Sequence, residues 1–340
     1  MDYFKELEAL TALPGPSGYE APVAEKVEAL FSRFSPEVWR DNWNVYARMG
    51  EGGPRILLAA HMDEIAMMVR AIEDDGYLVL TRVGGVDPRC LPAHEVIVHG
   101  TDDLFGIIGS KPPHVTTDAE RTQVLGWDDL YCDLGMAPEE VRAKVKVGDI
   151  VTYRSPLKHL QGDSLAGHAL DDRACIIILA QVMEAIACMK LNCEVVFVGT
   201  VAEEVSDLGT FIANFDLRPD LCIAIDVTHG DTPDAPAFAS FPMDKPAISM
   251  GPIVHKGWTK KLMDAAKKLD MPYSVDVFEH RTYTDADGAQ LVADGIPVAV
   301  VSLPLRYMHT SVEVVRSSTM EKCARLLTRF IQDVSQEGKP

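Results

Sequence analysis

Long apolar runs are missing from this 340-residue sequence; nothing in it approaches the roughly 18 uninterrupted apolar residues of a membrane span. Paired cysteines are missing too. The seven present (Cys90, Cys132, Cys175, Cys188, Cys193, Cys222, Cys323) are odd in number, with no CxxC or CxxxC spacing. Several sit in apolar runs such as Ala174-Cys175-Ile176, so they read as small buried hydrophobes in a reducing compartment rather than as a disulfide framework. Positive charge is scarce: 32 Lys and Arg against 51 Asp and Glu leave a net charge of −19. A surface that acidic repels phosphate backbones, which speaks against nucleic acid as a partner. The opening segment, MDYFKELEAL, carries early acids and no signal-peptide-like apolar stretch, so a cytoplasmic location without membrane contact is expected. Internal repeats and low-complexity segments are absent as well.

What is there is an ordinary globular composition, 47% hydrophobic, in a chain long enough for one large domain or two unequal ones. The first thirty-odd residues read as helical, broken once, with Ser17-Gly18-Tyr19-Glu20 resembling a capping box and Val23, Val27, Leu30 and Phe31 on one face. Four short runs apolar on both faces follow: RILLAA (55–60), EVVFVGTVA (194–202), LCIAI (221–225) and VAVVSL (298–303). Amphipathic helical patterns accompany them at 174–186, 259–269 and 319–334, the last behind Ser317-Ser318 as caps. Buried strands alternating with helices predict an α/β fold, a doubly wound mixed sheet. Residues 66–160 differ, with many Gly and Pro and short alternating pieces such as HEVIVHG (94–100). That texture predicts a small β-barrel-like module inserted into a catalytic domain made of residues 1–65 and 161–340.

Each of the four buried strands delivers a chemically active residue at its carboxyl end, where open α/β sheets place their sites. RILLAA leads into His61, Met62, Asp63 and Glu64; EVVFVGTVA into Glu203-Glu204; LCIAI into Asp226; VAVVSL, a few residues on, into His309. Asp171-Asp172 stands before a helix that could bring a carboxylate across the same edge. Taken singly, each has a blander reading. A lone strand-end His is more often a surface residue, adjacent glutamates are usually solvated, and an Asp pair before a helix is most often a cap. Five such coincidences at one sheet edge favour a metal site instead. Two imidazoles with several carboxylates and no thiolate suit Zn²⁺, Co²⁺ or Mn²⁺. One carboxylate bridging two ions is the usual two-metal hydrolase arrangement. The other eight histidines lack this setting, although His168 and His229 lie close to Asp171 and Asp226.

The blocks HMDEIAMMV, GHALDDRA, VAEEVSDLG, AIDVTHGDTP, RTYTDADGAQ and LPLRYMHTSVEVV resemble, in order and spacing, the signatures of the tetrahedral (TET) aminopeptidases. These are the glutamyl and deblocking aminopeptidases, co-catalytic metallopeptidases whose relatives sometimes carry cellulase or endoglucanase names. The resemblance runs from GPSGYE near residue 15 to the last helix. It implies that His61, Asp171 and Asp226 hold one ion and Asp171, Glu204 and His309 the other, with Glu203 as general base and Asp63 orienting His61. It further implies two divalent ions per subunit, peptide substrates cut at the N-terminus, and a dimerising insert whose dimers close into a homo-oligomeric dodecamer. One block departs from the pattern: Tyr283 stands before Thr-Asp-Ala where a Gly is usual.

Such a site would use an acidified water as nucleophile, with Glu203 taking its proton and passing it to the leaving amine. Glu203 and Glu204, as neighbouring extended residues, would point different ways. Three other readings compete. A related carboxypeptidase or N-acyl amino acid deacylase would need a basic residue for the substrate carboxylate, and Arg281 and Arg306 are candidates. A glycoside hydrolase would need two carboxylates facing one another across a sugar. A scaffold with a structural metal would close the coordination with protein ligands alone.

Overall fold

A computed structural model describes residues 1–233, 235–236 and 239–340. Helices α1 (Tyr3–Thr11) and α2 (Ala21–Phe31) open the chain, followed by β1 (Val38–Arg40), β2 (Val45–Met49) and β3 (Arg55–His61). Strands β4 (Ala66–Ile72), β5 (Leu78–Val83), β6 (Glu95–His99), β7 (Asp103–Ser110), β8 (Leu130–Asp133) and β9 (Ile150–Tyr153) close an antiparallel barrel in the order β4-β5-β8-β7-β6-β9. Two short helices, α3 (Asp118–Arg121) and α4 (Pro138–Lys144), decorate it. The chain returns through β10 (Lys158–His159) and β11 (Ser164–Gly167) to the long helix α5 (Leu170–Ile186). Then come β12 (Glu194–Thr200), α6 (Leu208–Leu217), β13 (Leu221–His229), β14 (Ala247–Met250), α7 (Lys256–Lys268), β15 (Ser274–Val277), α8 (Asp285–Ala289), β16 (Val298–Leu305), β17 (Glu313–Arg316) and α9 (Ser317–Glu337).

The main sheet runs β1-β2-β12-β3-β13-β16-β14-β15. Its centre, β12-β3-β13-β16, is parallel, while β2 and β14 join it antiparallel. Period-two alternation explains why the central strands are apolar throughout: successive side chains enter different cores, and both faces are covered. Ile56, Leu58 and Ala60 of β3 face α2, α5 and α9, whereas Leu57 and Ala59 face α6 and α8. The mixed, doubly wound sheet and the inserted six-stranded barrel are those predicted. The barrel has its own core, including Met67, Leu80, Val96, Val98, Ile108 and Val151. Phe105 and Ile107 of β7 point outward instead, 47% and 46% exposed.

Three local expectations are corrected. Ser17 does not cap α2: its hydroxyl donates to Asp63 Oδ2 at 2.6 Å, while Glu20, the residue before the helix, makes no side-chain cap and accepts from the N–H groups of Gly18 and Ala202. Ser317 and Ser318 do not cap α9 but donate to Asp163, the residue before β11. Glu203 and Glu204 are not extended. β12 ends at Thr200, Ala202 turns the chain in the left-handed region (φ 58°), and both glutamates lie in the turn that follows.

Candidate metal centre

The four parallel strands bring their ends to one edge, and the residues singled out above meet there. His61 is the last residue of β3 and is 2% exposed. Asp171 precedes the regular part of α5; it and Asp172 have non-helical backbone angles, so its carboxylate faces the sheet edge rather than a helix face. His61 Nε2 lies 3.1 Å from Asp171 Oδ1. The other oxygen, Asp171 Oδ2, lies 3.4 Å from His309 Nε2, which is itself 3.4 Å from Glu204 Oε2. Two groups result, His61–Asp171–Asp226 and Asp171–Glu204–His309, each with its donor atoms within 4.8 Å of one another, and Asp171 belongs to both. Glu203 Oε2 sits 3.9 Å from His61 Nε2, beside both groups.

The electrostatics test whether these residues suit a cation. Burial, then the charge of Asp171, pushes Asp226 up to about 7 and Glu204 up to about 8. Burial likewise holds Glu203 well above the usual carboxylate range. For His309 burial works the other way, yet the carboxylates of Asp171 and Glu204 carry it up to about 9. Asp171 stays below its ordinary value despite burial because both imidazoles bond to it. Crowded buried acids with only two imidazoles between them are short of positive charge, which divalent cations supply. The donor set, nitrogen and oxygen without sulfur, fits such ions.

Residues around the cluster fix it. Asp63, wholly buried, accepts through its carboxylate from Ser17 Oγ (2.6 Å), Glu203 N (3.1 Å) and Glu204 N (3.2 Å); His61 Nδ1 lies 3.1 Å from its backbone carbonyl and 3.3 Å from its Oδ1. It therefore anchors the glutamate turn as well as the imidazole. Glu313, which sequence reasoning missed, accepts from the backbone N–H groups of Leu170 (2.8 Å), Asp171 (3.1 Å) and His309 (3.1 Å), tying two cluster residues together. Arg173, also missed and fully buried, bonds to the carbonyls of Leu10, Leu13 and Met62 and to Glu64 Oε1 at 3.0 Å. Arg173 thereby clamps the N-terminal segment onto the stretch that follows His61. Gly15 is needed there, since an added Cβ would lie 2.8 Å from the Arg173 guanidinium and 2.5 Å from Val23. His168 joins the same network, 3.4 Å from Glu64, and does not reach the cluster. His229 lines the cavity wall.

That cavity, about 650 Å³, opens beside the cluster and is walled partly by Phe241, Phe278, Tyr283 and Met308. Tyr283 has φ 55°, the left-handed region where Gly is at ease and other residues lose roughly 1–2 kcal/mol. Its N–H donates to Asp287 Oδ2 at 2.9 Å, holding the turn, while the ring stands 67% exposed under the Arg281 guanidinium.

A mixed sheet that gathers histidines and carboxylates around a shared aspartate, beside an open cavity, defines a protein of the α/β metallohydrolase class. A family model described as M42 glutamyl aminopeptidase matches residues 43–326. Lysyl aminopeptidase of Pyrococcus furiosus is 28% identical over 328 residues, 94% of each chain. An aminopeptidase from the archaeon Desulfurococcus kamchatkensis is 32% identical, with a TM-score of 0.91 over 98% of this chain and 96% of its own. The Pyrococcus horikoshii TET1 peptidase, described as able to assemble into a tetrahedron or a large octahedral shell, is 29% identical with a TM-score of 0.85, covering 97% and 99%. The chain belongs to the M42 family of metallopeptidases and is an aminopeptidase of that family. Among the described residues, no helix is long and apolar enough to cross a membrane.

Proposed function

We propose that the chain removes N-terminal residues from peptides with two divalent ions, one held by His61, Asp171 and Asp226 and the other by Asp171, Glu204 and His309. The observation that carries this reading is the pair of three-residue groups sharing Asp171. Zn²⁺ or Co²⁺ suits the donors best and Mn²⁺ is compatible. Bound there, the ions would acidify water and polarise the scissile carbonyl. Glu203 is the general base: its carboxyl, raised by burial, accepts a proton at the cluster and returns it to the leaving amine. Asp63 is a positioning residue that orients His61 and the Glu203–Glu204 turn.

Charge pairing favours this over a carboxypeptidase or deacylase. Arg281 is engaged by Asp287 (3.0 Å) and Asp207 (3.5 Å), and Arg306 by Asp231, so neither is a spare cation for a substrate carboxylate. A glycoside hydrolase is disfavoured because imidazoles stand between the carboxylates. The catalytic unit is residues 1–65 and 161–340, and the inserted module, residues 66–160, is the dimerising unit, its exposed Phe105 and Ile107 forming an apolar face. Dimers assemble into a dodecamer in a cytoplasmic setting.

The test compares aminoacyl p-nitroanilides with N-acetylated amino acids and carboxypeptidase substrates, using metal-stripped and Co²⁺- or Zn²⁺-reconstituted protein beside a sizing column. Cleavage of the anilides alone, lost on stripping and regained on reconstitution, is the expected result. Preference for N-acetylated substrates, or release of reducing sugar without metal, would overturn the reading.

A further inference from the structure

The inserted barrel approaches the His309 side of the metal centre through the turn after β5 and through His94. The turn after β5 holds Gly84 and Gly85 against it: an added Cβ at Gly85 would lie 2.3 Å from His309 Nδ1, and one at Gly84 3.3 Å from the Glu204 carboxylate. His94 stands just before β6. Its Nδ1 lies 3.2 Å from the Leu91 carbonyl and its Nε2 2.6 Å from Ser311 Oγ. A carbonyl can only accept, so Nδ1 carries a proton, and in the neutral imidazole Nε2 accepts from the Ser311 hydroxyl. The imidazole is held from the side by Tyr153, edge-on at 6.0 Å.

Ser311 is 4% exposed and stands two residues past His309. The loop they share needs fastening. Tyr307 and His309 both have φ 60°, a conformation that disfavours non-glycine residues by roughly 1–2 kcal/mol each. From its own side the loop is tied by the paired bonds between Arg306 and Val314, both 3.0 Å, and by the His309 N–H to Glu313. From the barrel side the tie is His94. His61 and Asp226, by contrast, sit on β3 and β13 in the middle of the main sheet.

We propose that His94 is a positioning residue of the inserted barrel that, through Ser311, holds the His309 loop and so sets divalent-metal affinity at Asp171–Glu204–His309 but not at His61–Asp171–Asp226. The proposal rests on His309 being a metal ligand. It makes the barrel part of the active centre rather than only an assembly surface.

The test is Co²⁺ titration of the metal-stripped full chain, read by calorimetry and by visible absorption, with thermal unfolding of the stripped proteins alongside. His94→Phe keeps a ring against Tyr153 and removes the acceptor; Ser311→Ala removes the donor. Each is expected to weaken one of the two Co²⁺ binding steps about 10–100-fold and leave the other unchanged. The double variant should be no worse than either single, and His94→Gln, which retains an acceptor, should restore most of the affinity. Two wild-type steps in both single variants, or equal weakening of both steps, would overturn the proposal. His309→Ala separates the two ideas. If it loses one step while His94→Phe loses none, only the proposal fails; if it binds two ions like the wild type, the reading of His309 itself fails.

Discussion

Replacing Asp63 by Asn removes one charge while changing the side-chain volume very little. In the native protein its two oxygens face the donors Ser17 Oγ and Glu204 N on one side and Glu203 N and His61 Nδ1 on the other. An amide offers a single accepting oxygen, so whichever way it turns, its NH₂ points at one of these pairs of donors. A buried donor left without an acceptor costs about 1–3 kcal/mol. Losing the charge beside a buried imidazole adds to that, for a total of about 3–5 kcal/mol. The rate should fall too, because the Glu203–Glu204 turn hangs on this carboxylate and a displacement of about 1 Å can cost roughly 100-fold. Urea unfolding of the metal-stripped protein measures the first effect, and aminoacyl anilide hydrolysis at saturating Co²⁺ the second. A variant within roughly 0.5 kcal/mol of the wild type, with unchanged kcat, would refute the reasoning.

Glu203→Gln should bind both ions yet lose at least ~100-fold in rate, checked by metal content and turnover on the same sample; near-normal turnover removes Glu203 from the base role. The raised values of Asp226, Glu204 and His309 set a pH dependence with a definite sign. In the metal-free fold these groups keep protons that the unfolded chain releases, so stability falls as pH rises from about 4 through about 9. Co²⁺ affinity rises over the same interval because metal and protons compete; calorimetry of stripped protein at several pH values, with parallel titrations, reads both slopes. Phe105→Asp, on an outward barrel position, should split the assembly on a sizing column while leaving the unfolding temperature of the single chain nearly unchanged; an unaltered elution volume would remove that face from the interface.

The cluster residues were legible in the sequence because His61, Glu204, Asp226 and His309 end, follow or lie within strands whose apolar runs are conspicuous, because the Asp171-Asp172 pair stands at the start of a helix, and because His and carboxylate side chains advertise their chemistry. Strand β3 was expected over 55–60 and spans Arg55–His61; α9 was expected over 319–334 and spans Ser317–Glu337. The supporting shell was not legible. Glu313 acts on backbone N–H groups more than a hundred residues away, and Arg173 on carbonyls of α1 and the segment after it. No spacing encodes such contacts. Ser17, Ser317 and Ser318 show the converse: their sequence setting suggests local caps, but long-range acceptors at Asp63 and Asp163 win. The short strands β14 and β15 escaped notice because four residues carry too little periodicity, and the extended reading of Glu203-Glu204 failed at Ala202, which turns the chain one residue early. Tyr283 shows how a departure from a family pattern can keep the backbone: it adopts the left-handed turn that a Gly would favour, held by Asp287.

The most direct test is anomalous scattering from crystals grown with Zn²⁺, recorded at the zinc edge. Two peaks are expected about 3.5–4 Å apart, one contacted by His61 and Asp226, the other by Glu204 and His309, with Asp171 between them. A single peak, or two that leave Asp171 on one side, would contradict the shared-aspartate centre and the hydrolytic mechanism built on it.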